Sequence, residues 1–258
     1  MQRRTDGAEP VAEVKFGPLM RRILRAMLEL ATRRPPASRL LVFTRVPELG
    51  RVKSRLAHLL GEEKALRLHE AMIADLLAAI GESTDTLEIE ILWTGSREVT
   101  GSTLRRYFDS RPVAMQTGST LGDRLAVAFS ERIFFHATDK VLAIGTDDPT
   151  LTRETVELAF DLLDSCDWVL GPATDGGYYL IGCRGASYHS SVFRDIEWGT
   201  AGVFRATRER IRALGATLAI LPSHTDIDEV DDLRTLSSTI SGGSGRVTDV
   251  LRTWGWIE

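Results

Sequence analysis

Nine consecutive residues, Val141-Leu142-Ala143-Ile144-Gly145-Thr146-Asp147-Asp148-Pro149, carry an apolar strand directly into two adjacent carboxylates and a proline. In an open α/β sheet, ligands bind in the crevice beyond the carboxyl ends of the strands, and acids placed there can hold a hard divalent cation against substrate phosphates. That chemistry points to nucleotides. A plain helix start competes with it, with Asp148 or Thr150 as the cap and Pro149 in the first turn. The segment Gly171 to Gly182, which again joins a strand end to an acid and glycines (Asp175-Gly176-Gly177), tips the balance toward a site.

Three further groups have usable chemistry. The loop Arg45 to Arg55 leaves a strand and enters a helix; Gly50 permits close backbone approach, and Arg51, Lys53 and Arg55 supply positive charge for a diphosphate. It is neither GxGxxG nor a Walker A sequence, so neither NAD nor a P-loop ATPase is suggested. Gln116, with Gly122 and Arg124 just beyond it, stands where a base edge or ribose can be held. Asp147 and Asp148 are the first metal candidates, with Asp226 and Asp228 as partners from a second strand-to-helix junction; N-capping explains that second pair almost equally well. Asp175 is placed to orient or deprotonate an acceptor. His136, His189 and His224 are scattered without partner spacing, and no Ser-His-Asp or zinc arrangement is present.

The elements that must position these groups follow from alternating short apolar strands and helical stretches from Arg39 onward, the pattern of a mostly parallel sheet covered by helices. Strands are expected at Leu40 to Thr44, Leu87 to Trp93, Val113 to Gln116, Val141 to Ile144, Trp168 to Leu170, Tyr178 to Ile181 and Thr217 to Leu221. Helices are expected from Ser54 to Ile80 with a break near Gly61, Leu121 to His136, Thr152 to Leu163, Gly199 to Leu214, and from Asp226 onward. The chain divides into an extension over 1–38, a domain over 39–240, and a tail over 241–258 ending in Trp254-Gly255-Trp256.

With 258 residues, 43% hydrophobic and 26% charged, the composition is that of a soluble globular protein. The net charge of −4 hides a split: residues 1–39 carry nine Lys/Arg against four Asp/Glu, so the rest of the chain is acidic and a nucleic-acid-binding core is disfavoured. Phe16 to Arg34 has the pattern of a basic amphipathic helix, suited to its own domain, a second subunit as in a homodimer, or a membrane surface. No run reaches the roughly 18 apolar residues of a transmembrane segment. Cys166 and Cys183, each in apolar strand-like sequence, read as reduced thiols, and the expected location is cytoplasmic.

Val46 to Leu56 resembles the signature K-x-P-x-P-G-x-V-K-T-R-L. Together with Gly145 to Pro149, Gly171 to Gly182, Trp198-Gly199-Thr200 and Asp226 to Leu233, it resembles a bacterial glycosyltransferase family known in part as arsenosugar-biosynthesis-type, within the nucleotide-diphospho-sugar transferase (GT-A) superfamily. The likeness spans roughly residues 39–236. It implies a GT-A Rossmann-like three-layer sandwich, a nucleotide-sugar donor and Mg2+ or Mn2+. It also implies Asp147 as metal acid, Lys53 and Arg55 on phosphates, and Asp226 and Asp228 where related guanylyltransferases keep a second metal carboxylate. Arg45, Glu48, Ser54 and Thr146 depart from the family pattern. The first expectation is a metal-dependent glycosyltransferase with an unknown acceptor; the second is a nucleotidyltransferase acting on a phosphorylated small molecule; the third is a non-catalytic protein of the same fold.

Overall fold

Along Ser38–Arg45 the side chains alternate: Leu40 and Val42 are buried on one side and Leu41 on the other. In the computed structural model, which describes residues 37–240 and 243–258, this run is β1 of a seven-stranded sheet. The others are β2 Leu87–Thr94, β3 Val113–Met115, β4 Lys140–Ile144, β5 Trp168–Pro172, β6 Tyr178–Arg184 and β7 Leu218–Ile220. Their order is β3-β2-β1-β4-β6-β5-β7, and all pairings are parallel except those of β6 with β4 and β5.

Helices cover both faces. On one, Ile73, Leu76 and Ile80 of α2 (Glu62–Ile80), Phe108 of α3 (Gly101–Phe108) and Val156 and Phe160 of α5 (Arg153–Leu162) pack with Leu40 and Val42. On the other, Leu125 and Phe129 of α4 (Leu121–Ser130) and Ile211 of α6 (Val203–Ala213) pack with Leu41, Trp168 and Ile181. A third cluster joins Leu56 of α1 (Ser54–Leu60), Leu68 and Met72 of α2, Leu233 and Leu236 of α7 (Val230–Ile240), and Val247 and Leu251 of α8 (Arg246–Thr253). The fold is therefore the expected α/β sandwich of three layers around a mostly parallel sheet.

Several boundaries differ from those expected. The break near Gly61 is not among them: as expected, Gly61, at φ 86°, ends α1 and lets α2 start anew. Helix α3 was not expected: it is short, with Leu104, Tyr107 and Phe108 turned to the core, and the Thr100 hydroxyl, accepting from the Thr103 amide at 3.3 Å, starts it. The helix expected to run to His136 changes at Ser130 into a π turn, Glu131–Phe135, and the one expected from Gly199 begins only at Val203. Asp226 to Glu229 precede α7 rather than opening it. Within the tail, α8 is packed into the third cluster, and Lys64 lies over the Trp254 ring at 5.4 Å. Cys183 is buried in β6, whereas Cys166 sits in the turn before β5; both are free thiols.

The basic helix expected over Phe16 to Arg34, and nearly all of the 1–38 extension, lie outside the described residues. No described helix is long and apolar enough to cross a membrane.

Candidate functional site

The loop between β1 and α1 is shaped by three features. Gly50 takes φ 72°, a left-handed turn, and the Arg51 amide donates to the Glu48 carbonyl at 3.1 Å. Glu48 accepts from the Ser96 amide at 2.8 Å and from the Ser96 hydroxyl. Partial burial raises its pKa, but the two bonds and Arg51 outweigh it and hold the carboxyl below its ordinary value. The loop thus keeps its shape by being anchored to the turn after β2.

At the end of the loop Lys53 sits at φ 47°, a left-handed conformation rare outside glycine, and its side chain is only 3% exposed. Its ammonium donates to the Ile227 carbonyl at 2.7 Å and to Asp228 at 3.1 Å, and it forms a close ion pair with Asp147. Burial alone would lower the Lys53 pKa; the two carboxylates overcome it and hold the amine charged, above its ordinary value. Burial likewise pushes Asp147 up, while Lys53, His69 and Arg45 pull it below the usual carboxylate range. Although Asp147 lies deep in the protein, its side chain is 43% exposed, because it opens onto a cavity.

The segment between β7 and α7 has no regular structure, yet it brings Asp226 and Asp228 to the same place. The Ile227 amide donates to the Asp147 carbonyl at 2.8 Å. Asp226 is largely buried, and burial together with the charges of Asp147, Asp175, Asp148 and Asp228 pushes its pKa up to about 7. Asp148 is different: it is 3% exposed, and its carboxylate accepts from the Thr150 amide at 2.8 Å, from the Thr150 hydroxyl and from His224 Nδ1 at 2.6 Å. Its oxygens are occupied by the protein, as capping of the turn after β4 requires.

These groups meet in a cavity of about 550 Å³ at the carboxyl ends of β1 and β4. Strand order reverses there, with β2 and β3 on one side of β1 and β4 on the other, which is where open α/β sheets place their ligands. Of the residues singled out in the sequence, Arg51, Lys53, Arg55, Gln116, Arg124, Asp147, Asp148, Asp226 and Asp228 line it. Gly122 does not: a Cβ there would lie 2.5 Å from the Phe193 carbonyl and 2.6 Å from Trp198 Nε1, so it is glycine for close packing under α4. Asp175 lies in the turn between β5 and β6 with its carboxylate on the Gly177 amide at 2.8 Å, outside the cavity walls. Gln116 lines the cavity, but its amide nitrogen donates to the Thr44 and Leu92 carbonyls at 3.1 and 2.7 Å, joining strand ends instead of presenting a donor to a ligand.

The sequence reading missed His69 of α2 and the aromatic pair Tyr178 and Tyr179, all of which line the cavity. His69 Nε2 donates to the Arg45 carbonyl at 3.0 Å, and burial lowers the ring's pKa. Its signal was available: it is the one buried polar side chain on the apolar stripe that carries Ala65, Leu68, Met72 and Leu76. Among the described residues, no three acids or histidines stand close enough together to hold a metal ion as they are. The Lys53 ammonium occupies the space between Asp147 and Asp228. The oxygen donors of Asp147, Asp226 and Asp228 nevertheless suit a hard divalent cation, and the crowding that raises the Asp226 pKa is what such an ion would relieve.

Comparisons with known proteins agree with this architecture. A family described as an uncharacterized protein conserved in bacteria, DUF2064, matches residues 79–200. The crystal structure of a candidate nucleotide-diphospho-sugar transferase from Desulfovibrio desulfuricans G20 is 32% identical and superposes with a TM-score of 0.80, covering 84% of this chain and 95% of that one. The chain belongs to this bacterial family of nucleotide-diphospho-sugar-transferase-like proteins. A 2-phospho-L-lactate guanylyltransferase from Haloarcula marismortui is 26% identical to this transferase-like chain over 215 residues, 79% of this chain and 87% of that protein. A cytidylyltransferase from Leptospira borgpetersenii shares the fold at 13% identity and a TM-score of 0.52, covering 85% of this chain and 94% of its own.

Proposed function

We propose that the protein is a nucleotidyltransferase that joins a nucleoside monophosphate, taken from a nucleoside triphosphate, to an anionic oxygen of a small phosphorylated acceptor. One observation carries it: Lys53, Arg51 and Arg55 share a single cavity with Asp147, Asp226 and Asp228, whereas Asp175, the acid best suited to deprotonate a sugar acceptor, does not line that cavity and gives one carboxylate oxygen to the Gly177 amide. A phosphate oxygen is already anionic and needs no base; such a transfer chiefly needs charge stabilisation and alignment. The identity to a guanylyltransferase over most of the chain supports the same reading.

In this reaction the acceptor oxygen forms a bond to the α-phosphorus, the bond from that phosphorus to the bridging oxygen breaks, and pyrophosphate leaves with that electron pair. Arg51 and Arg55, at the entrance to α1, bind the β- and γ-phosphates. Lys53 moves from its carboxylates to the α-phosphate, where its charge offsets what develops in the transition state. Arg45 and Arg124, which also line the cavity, orient the acceptor anion. Asp147, Asp226 and Asp228 would hold a Mg2+ or Mn2+ ion, which when bound supplies further positive charge beside the phosphates.

Sugar transfer from a nucleotide-diphospho-sugar is the second reading, favoured by the description of the 32% identical structure. Product analysis separates the two. Incubation with triphosphates, nucleotide-sugars and phosphorylated acceptors is expected to release pyrophosphate; release of a nucleoside diphosphate from a nucleotide-sugar, without pyrophosphate, would replace this function with sugar transfer. Neither product, together with no nucleotide binding, would leave the non-catalytic alternative.

A further inference from the structure

The stretch from Leu221 to Glu229 carries two of the three proposed metal acids, yet it lies between β7 and α7 with neither strand nor helix to fix it. Lys53 and Asp232 hold its far end, at Ile227, Asp228 and Glu229; its near end is tied to the turn after β4 through one side chain. His224 Nδ1 stands 2.6 Å from Asp148 Oδ2; a carboxylate oxygen can only accept, so the ring donates. Asp148 cannot drift, because its other oxygen is held by the Thr150 amide and hydroxyl in the turn immediately after Asp147. The His224 ring also lies against the Tyr179 ring, 4.4 Å between centroids, and the Tyr179 hydroxyl donates to the Pro222 carbonyl at 3.2 Å. Its backbone is fixed as well, with the amide on the Pro172 carbonyl at 3.0 Å and the carbonyl accepting from the Thr174 amide at 2.9 Å.

We infer that His224, acting through Asp148, is the positioning residue that sets Asp226 and Asp228 opposite Asp147. The inference rests on the proposed metal-assisted transfer for its purpose. Two residues beyond the ring is Asp226; three beyond is Ile227, whose amide closes on the Asp147 carbonyl at 2.8 Å. The pair therefore references both acidic segments to one buried carboxylate. Without the His224 side chain, Asp148 Oδ2 is buried and unpaired, and the start of the segment keeps its bonds to Pro172, Thr174 and Tyr179 but loses its tie to the turn that carries Asp147. This also gives Asp148 a purpose other than ligation: it holds the ligands' frame.

Side-chain geometry supplies a sharp test. The nitrogen of asparagine is attached to Cγ, like histidine Nδ1, and can reach Asp148; the nitrogen of glutamine is attached one atom further out, like Nε2, and cannot do so from the same backbone position. The full chain and its His224→Ala, His224→Asn and His224→Gln variants would be compared by amide hydrogen exchange and by Mn2+ titration. In His224→Ala the Ile227 amide is expected to exchange about tenfold faster and Mn2+ to bind about tenfold more weakly, the effect of one lost hydrogen bond to a charged group. His224→Asn should return both to within about twofold of the parent, the remainder reflecting the lost ring contact, and His224→Gln should not. Unchanged Mn2+ affinity in His224→Ala, or rescue by glutamine equal to that by asparagine, would overturn the inference. Should alanine fail to fold, the asparagine and glutamine pair carries the comparison alone. A parent protein that binds no Mn2+ at all would defeat the underlying metal proposal first, before any substitution is made.

Discussion

At the scale of single residues, Lys53 decides most. A buried ammonium with three oxygen partners stands where a divalent cation is proposed to bind, so the unloaded site is balanced by the protein's own charge. Replacing Lys53 with methionine leaves Asp147 and Asp228 facing each other without a counter-ion. The expected cost is on the order of 2 kcal/mol of stability at neutral pH, because carboxylates in a partly desolvated site lose their charged partner. Millimolar Mn2+ should recover part of that loss, since an ion that binds only the folded chain stabilises it. Urea unfolding of both proteins with and without Mn2+ checks this, and a variant as stable as its parent would contradict it. Lys53, Asp147, Asp226 and Asp228, which share one cavity, stood out in the sequence because charge at strand ends is unusual. The bond between Asp148 and His224 was not legible, since a side chain committed to a partner 76 positions away looks the same in sequence as one left open to a ligand.

At the scale of elements, period-two and helical patterning located the strands and long helices, because burial on one or both faces writes itself into the sequence. It failed where local capping or tertiary packing decides: α3 begins on a Thr100 cap, and α8 becomes a helix against α2 and α7 although its approach is rich in glycine. The buried carboxylate of Glu90 on β2, bonded to Arg132 at 3.0 Å in the π turn, was also unreadable. Strand β5 is joined to its neighbours by a smaller device of the same kind. Asp167 accepts from the Thr217 amide at 2.8 Å, from the Thr217 hydroxyl and from Ser187, tying the starts of β5 and β7 to the end of β6. These bonds, the Ser187 hydroxyl first, lower its pKa to about 2 from 3.8. Since the folded value lies below the unfolded one, the contribution is fully present above pH 4 and is lost as pH falls toward 2. After allowance for solvent screening it is about 1 kcal/mol. Denaturant unfolding at neutral and acid pH should show Asp167→Asn less stable by about that amount at neutrality, with the gap closing as the pH approaches 2; a gap constant with pH would sink the assignment.

For the whole molecule, topology explains why residues from three separate stretches of chain meet. β1 sends its loop to one side of the strand-order reversal, β4 delivers Asp147 at the reversal itself, and the stretch after β7 returns across the sheet to place Asp226 and Asp228. The sequence singled out all three stretches, but their meeting depends on antiparallel β6 standing between β4 and β5, which no local pattern encodes. A ligand that bridges those stretches should stabilise the fold as a unit. At a concentration about a hundred times its dissociation constant, a ligand adds about 2.7 kcal/mol, which for a domain of this size raises the melting temperature by roughly 5–10 °C. A nucleoside triphosphate with Mn2+ is expected to produce that rise and the triphosphate alone a smaller one, because the cation links the acids on β4 and after β7 to the phosphates held at α1. Asp147→Asn keeps the shape of the side chain but removes its charge, so the difference between the two conditions should vanish while the triphosphate-only shift persists. Thermal melts of parent and variant in both conditions measure it. An undiminished Mn2+-dependent rise in Asp147→Asn would mean that the cation is held elsewhere and that the convergence at this sheet edge serves a different ligand.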